Sequence, residues 1–247
     1  MAARRPVLIL QLRPERTVAD DEYARILRYG GLEPGEACRV RIGRRGIPEG
    51  LRPEDFSAII VGGSPFDLST PEARKGALQR RIEADFQRLL AQVVGRDLPF
   101  LGACSGNGLL GRYLGTPVST RYGEPVGCVT LQVTEAGRRD PLLQGLPRRI
   151  EVLLGHKEAV DALPPGATLL MTGSHCPVQM FRVGDNVYAT QFHPEADPEA
   201  FALRIDTYRN HGYFPPHEAA ALKRRLRGKA TPHAQEILRR FVARYCR

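Results

Sequence analysis

Short apolar runs alternate with amphipathic stretches through the first hundred residues, and this alternation constrains the fold more than any single motif. Val7-Leu-Ile-Leu-Gln-Leu12 reads as a buried strand, and residues 18–29 after it as a helix with Ile26 and Leu27 on its apolar face. Residues 38–42 form a second strand. Ser57-Ala-Ile-Ile-Val61 is a third, ended by Gly62-Gly63-Ser64-Pro65, a break no sheet interior tolerates. Leu78, Ile82, Phe86, Leu89, Leu90 and Val93 then recur at spacings of three and four, the mark of one buried helical stripe, before a fourth strand at Leu98-Pro-Phe-Leu101. Strand and helix taken in turn imply an α/β fold: a doubly wound, mainly parallel sheet with helices on both faces.

From about residue 118 the pattern shifts to shorter strands at 126–134, 150–154, 168–171, 178–183 and 187–192, which read as an antiparallel extension of the same sheet. Asp197-Pro198-Glu199 supplies an N-cap, an N1 proline and a first-turn acid for a helix to about residue 210. Thr231-Pro232 does the same for a last helix, with Ile237, Leu238, Phe241, Val242 and Tyr245 on one stripe. No repeat, low-complexity tract or linker divides the chain, so residues 1–247 are expected to form one domain with a basic helical segment at about 215–247.

The net charge of +9 suggests nucleic acid until it is mapped. Residues 200–247 hold eleven Lys or Arg against three Asp or Glu, which leaves residues 1–199 a surplus of one positive charge. The body is neutral and the tail basic, which fits a solvated helix face better than a nucleic-acid site. The five cysteines are odd in number, widely spaced and without a C-x-x-C pair, so neither a disulfide framework nor a zinc ribbon is indicated. A reducing, cytoplasmic setting is expected. The apolar run after Arg4-Arg5-Pro6 is too short for a signal sequence, and no stretch approaches a membrane span.

Gly102-x-Cys104-x-Gly106 has the form of a nucleophile elbow with Cys in place of Ser, set between a strand and a helix. At the start of that helix, the dipole and unpaired amides should favour thiolate over thiol at Cys104. The Ser105 amide points where an oxyanion would form, and the Gly62-Gly63-Ser64 turn is the natural second donor. Gly106-Asn-Gly108-Leu-Leu-Gly111 also matches the dinucleotide pattern G-x-G-x-x-G, but it lies on the fourth strand unit and no acidic residue follows at the required distance.

In Gln191-Phe192-His193-Pro194-Glu195, Pro194 forces His193 into an extended conformation, so residues 193 and 195 point to the same side. Glu195 can then fix one imidazole nitrogen and leave the other to take the Cys104 proton. Taken alone, a histidine at a strand end is as readily structural; the pairing with Cys104 gives it a chemical role.

The two motifs together resemble the class I glutamine amidotransferases, and within them small stand-alone relatives of the GMP synthetase amidotransferase domain, over roughly residues 6–200. The resemblance implies a nucleophile at Cys104, a base at His193, an orienting carboxylate at Glu195 and an oxyanion loop including Gly63. It implies that His156, in Leu154-Gly155-His156-Lys157-Glu158, lines the glutamine site; an ordinary loop histidine is the alternative. Two positions depart from the family. Gly108 stands where a glutamine usually helps hold the substrate, and Asn107 replaces the usual histidine or neighbouring polar residue. A glycine at 108 would weaken the grip on free glutamine and open room for a leaving group larger than ammonia.

The expected reaction is hydrolysis of a γ-glutamyl amide, with glutamine as the small-molecule substrate and no metal or organic cofactor. No S-G-G-x-D-S loop and no G-x-x-x-x-G-K-[ST] loop is present, so ammonia would pass to a separate synthetase partner. A stand-alone γ-glutamyl peptidase or hydrolase is the rival within the enzymes. A retired amidotransferase fold, acting as a binding or regulatory protein, is the rival outside them; its expected mark, loss of Cys104, His193 or Glu195, is missing.

Overall fold

A computed structural model describes residues 5–246; Met1–Arg4 and Arg247, part of the N-terminal and tail readings, lie outside them. The parallel region comprises β1 (Val7–Gln11), α1 (Arg16–Gly30), β2 (Ala37–Arg41), β3 (Ala58–Val61), α2 (Ala77–Gly95), β4 (Phe100–Ala103) and α3 (Ser105–Tyr113). After it come β5 (Val118–Ser119), β6 (Glu124–Val133), α4 (Glu135–Arg139), β7 (Arg149–His156), β8 (Ala159–Val160), β9 (Ala167–Thr172), β10 (Met180–Val183) and β11 (Val187–Thr190). Helices α5 (Pro198–Thr207), α6 (Ala219–Leu226) and α7 (Pro232–Tyr245) complete the chain.

Among the described residues, nine strands form one sheet in the order β2-β1-β3-β4-β11-β10-β9-β6-β7, and β5 pairs with β8 apart from it. The first five are mutually parallel and the rest antiparallel. One sequence expectation is corrected here. The strand at 187–192 reads in sequence as part of the antiparallel extension, but β11 runs parallel to β4, with Val187 opposite Phe100 and Thr190 opposite Ala103. It is the strand at which the sheet changes character, being antiparallel to β10 on its other side.

Strands β1, β3, β4 and β11 are buried along their whole length, as strands covered on both faces must be. Alternate residues divide between two cores. Val7 and Ile9 of β1 pack with Ile26 of α1 and Ile237, Leu238 and Phe241 of α7. Leu8 and Leu10 face the other way, onto Ile82, Phe86, Leu89 and Leu90 of α2 and Leu109 and Leu110 of α3. The apolar stripe of α7 is buried as expected, while Arg239 and Arg244 are exposed. Helix α5 starts as read: Asp197 accepts from the Ala200 amide at 2.9 Å and Pro198 is its first residue. Helix α7 does not. Thr231 makes no side-chain cap bond, and its buried hydroxyl has no partner among the described residues. No described helix is long and apolar enough to cross a membrane.

Candidate active site

Strands that run in one direction end at one edge of the sheet, and loops leaving their carboxyl ends converge there. Arg13 follows β1, Gly62-Gly63-Ser64 follow β3, Cys104 follows β4 and His193 follows β11. The Cys104 amide donates to the Thr190 carbonyl at 2.7 Å, which ties the turn after β4 to the end of β11. Cys104 itself has φ 54 and ψ −96, a left-handed φ that a non-glycine residue adopts only where surrounding structure enforces it. The flanking glycines make that turn sterically feasible. A Cβ on Gly102 would lie 2.7 Å from the Gly106 backbone, and one on Gly106 3.3 Å from Val61, so the start of α3 sits directly on β3 and β4.

His193 is held on three sides. Its amide donates to the Leu153 carbonyl of β7 at 3.0 Å, its ring meets Phe201 edge-on at 5.7 Å, and Nδ1 donates to Glu195 Oε1 at 2.8 Å. The same carboxylate oxygen accepts from Arg204 of α5 at 2.9 Å. All three side chains are buried. Despite its own desolvation, Glu195 is held well below the usual carboxylate range by His193 and Arg204. Burial lowers His193 below its ordinary 6.5, with Glu195 opposing and Arg204 assisting, so the imidazole is neutral near pH 7. With the proton on Nδ1, the Nε2 lone pair is free to accept another.

Cys104 lines two pockets. One is walled by His193, Arg13, Arg204, Phe201, Tyr208 and Phe214, the other by Ser105, Gly108, His156, Glu158 and Gln191. Tyr213 and Ser64 border both, and the Tyr213 hydroxyl donates to the Ser64 carbonyl at 3.2 Å. Burial pushes the Cys104 thiol up to about 11, outweighing the opposing Arg13 charge. This corrects the expectation that the helix start would leave a thiolate: the resting group is the thiol, beside a neutral imidazole. Gly63 lies where a Cβ would be 2.8 Å from His193 Cε1, and Ser105 is the first residue of α3, so its amide has no preceding helical carbonyl.

Gly108 and His156 both wall the second pocket, and the reading that differs is the room expected at Gly108. Gly108 opens no room. The space a side chain would take is filled by Leu68, whose Cδ1 lies 2.9 Å from the position of a Cβ. The three glycines of the G-x-G-x-x-G match all lie within α3, packing on Val61, Leu68 and Val160, so they serve close approach and not a phosphate turn. His156 has both ring nitrogens engaged, Nδ1 with the Glu158 carbonyl and Nε2 with Glu124, each at 3.0 Å. It contributes a fixed wall, with no free nitrogen to offer.

Glu124, His156 and Cys176 form a second group of the same three residue types, their ligand atoms all within 4.8 Å of one another. Among the described residues this is the group that could hold a metal ion, although Glu124 already accepts from Gln179 as well as meeting His156. It lacks the features of a nucleophile site: Cys176 is fully buried, starts no helix, donates to the Val178 carbonyl, and is pushed up to about 12 by burial.

Sequence reasoning missed Arg13, Arg204 and Glu22, the buried carboxylate that accepts from Arg13 Nε at 2.9 Å. Glu22 and Arg204 left a signal, since each interrupts the buried stripe of its helix, between Val18 and Ile26 on α1 and between Phe201 and Ile205 on α5. Arg13 follows a wholly buried strand.

Comparison with known proteins bears on this site. Residues 46–213 match the family described as glutamine amidotransferase class-I. A glutamine-hydrolyzing GMP synthase subunit from Pyrococcus abyssi is 26% identical over 172 residues, covering 69% of this chain and 80% of that one. The glutamine amidotransferase-like protein YfeJ of Salmonella typhimurium is 30% identical over 147 residues, 60% of each chain. The chain spans only 30% of the glutamine-hydrolyzing GMP synthase of Thermosipho melanesiensis, at 28% identity over 72% of its own length. Among solved structures, a glutamine amidotransferase from Thermotoga maritima superposes with a TM-score of 0.71 at 20% identity, over 97% of this chain and 99% of that one. The shared fold and the family match over residues 46–213 agree, and the chain belongs to the class-I glutamine amidotransferases.

Proposed function

We propose that the chain hydrolyses a γ-glutamyl amide, glutamine in the first instance, with Cys104 as nucleophile, His193 as base and Glu195 as the carboxylate that orients it. The observation that carries this reading is the Nδ1 to Glu195 bond of 2.8 Å on a neutral imidazole that shares a pocket with the Cys104 thiol. Cys104 Sγ attacks the γ-carbonyl carbon as its proton passes to His193 Nε2. The oxyanion is met by the amides of Ser105 and the Gly63 loop, and Gly108 and His156 wall the side that takes the glutamyl portion. Collapse expels the amine, protonated by His193, and leaves a γ-glutamyl thioester. Water, deprotonated by the same imidazole, then releases glutamate and restores the thiol. No step requires a metal or organic cofactor.

In this reading ammonia passes to a separate synthetase protein in the cytoplasm, which fits the Pyrococcus relative's being a subunit of a glutamine-hydrolyzing GMP synthase. One observation favours the second reading, a stand-alone γ-glutamyl peptidase or hydrolase: the pocket on the His193 side is walled by Phe201, Ile205, Tyr208 and Phe214, apolar surface that ammonia does not need. Incubation with glutamine and a panel of γ-glutamyl compounds, followed by glutamate release, tests both. Release from glutamine supports the first reading, and release only from compounds with larger amines the second. If no compound yields glutamate above a Cys104→Ala control, neither reading stands.

A further inference from the structure

Arg13 is a buried cation in the nucleophile pocket that the three-residue mechanism leaves unused. It lies across the Gly62-Gly63 loop: a Cβ on Gly63 would be 2.6 Å from Arg13 Nη2 and 2.8 Å from His193 Cε1. Its Nε donates to Glu22 Oε1 at 2.9 Å, and Glu22 Oε2 accepts from Gln11 at 3.1 Å. The Tyr208 ring stacks at 5.5 Å from its Cζ. Glu22 is fully buried on α1 and lies against Gly62, where a Cβ would come within 2.5 Å of its carboxylate. The pair is therefore a fixed dipole, anchored at the carboxylate end, with its guanidinium beside the pocket.

Charge around Cys104 comes from every side. Glu195 and Arg204 offset one another through their hydrogen bond, as Lys157 and Asp67 of the second pocket do at 2.6 Å, and Glu158, after β7, adds unfavourable negative potential at the sulfur. Tyr208 and Tyr213, after α5, are phenols raised to about 12 and above, hence neutral. His193 becomes positive only once it has taken the proton. Resting on the proposed Cys104 chemistry, we infer that Arg13 is the fixed cation of this site, a positioning residue that stabilises negative charge first on Cys104 Sγ and then on the substrate oxygen, while Glu22 holds it and moderates its field.

The test reads Cys104 without requiring turnover. The pH dependence of its alkylation by iodoacetamide is followed by mass spectrometry in the wild type, Glu22→Gln, Arg13→Lys and the double variant Arg13→Gln/Glu22→Gln, which removes both charges and strands neither. In the double variant the midpoint should rise by about one unit, making alkylation near pH 7.5 about tenfold slower. Glu22→Gln, which frees the Arg13 charge, should move the midpoint the opposite way. Arg13→Lys, keeping a charge without the fork, should fall between the wild type and the double variant. With glutamine, or whichever γ-glutamyl compound is turned over, the double variant should lower kcat about tenfold with KM changed less than about threefold.

An alkylation profile that is unmoved in Glu22→Gln and in the folded double variant would make the pair merely structural and overturn the inference. A rise in KM with kcat unchanged would do so too, by making Arg13 a substrate anchor. Should the double variant not fold, the opposite shifts expected of Glu22→Gln and Arg13→Lys decide the matter. Alkylation that moves as expected in a protein releasing no glutamate would count against the proposed function alone. Turnover through Cys104 that ignores Arg13 would count against this inference alone.

Discussion

The two halves of the sheet use the same polymer differently. In the parallel half, β1, β3, β4 and β11 are buried from end to end and discharge Arg13, Gly63, Cys104 and His193 at one edge. In the antiparallel half, exposed and buried residues alternate at the start of β7, from Arg149 to Val152, and successive strands end at opposite edges. That half reaches the pockets with Val126 near the start of β6 and with Gly155 and His156 at the end of β7, and the His156 ring is spent on Glu124 and Glu158. Parallel pairing gathers loops for chemistry, and antiparallel pairing builds a wall behind them.

The sharpest way to break this comparison is to exchange thiols between the halves. Cys104→Ala or His193→Ala should reduce glutamate release by roughly 10⁴-fold or more, whereas Cys176→Ala should retain it and cost about 1 kcal/mol of stability. Activity lost with Cys176 and kept without Cys104 would move the site to the antiparallel half. Glu195→Gln should cost less, about a hundredfold in kcat, because the residue orients the imidazole without moving a proton itself. Full activity there would mean that Glu195 has been given the wrong role.

Phe241→Ala tests whether the parallel half depends on its cover. Phe241 is fully buried beneath the sheet face shared by α1 and α7, so its truncation should cost about 3–5 kcal/mol in a urea titration with little change in activity per folded molecule. A loss under about 1 kcal/mol would show the tail to be dispensable.

The smallest effect concerns pH. His193 and Glu195 are held below their ordinary values of 6.5 and 4.5, so the unfolded chain binds more protons as pH falls. Their contribution is complete above about 6.5, begins to fade below it through His193, and fades further below about 4.5 through Glu195. Cys104, raised from 9.0 to about 11, acts at the other end: its contribution is lost as pH rises from 9 towards 11. His193→Ala should flatten the decline just below 6.5, and a decline of unchanged steepness would assign it to other groups.

Much of this was legible in the sequence because it is local. The strands at 7–12 and 57–61, the stripe of α2 and the two short motifs each carry their signal within a few residues. What failed depends on distant partners. The direction of β11 is set by β4, and the room at Gly108 by Leu68 from another loop. The thiol at Cys104 answers to the protein packed around it more than to the helix it begins. Strands β5 and β8, two residues each, and the five-residue α4 are too short to show a period. Helix α6 was visible only as part of a basic stretch, and Thr231 resembled a cap that its backbone angles do not let it become.

The pairing of β4 with β11 also sets a schedule. A ribosome delivers Cys104 long before Thr190, yet the bond from the Cys104 amide to the Thr190 carbonyl secures the turn that presents the thiol. His193 and Glu195 emerge later still. A nascent chain with only β1 to β4 exposed therefore carries Cys104 without its proposed base or its neighbouring strand. Such long-range closure is slow compared with local helix formation, so the proposed reactive centre is among the last parts of the protein to come into being.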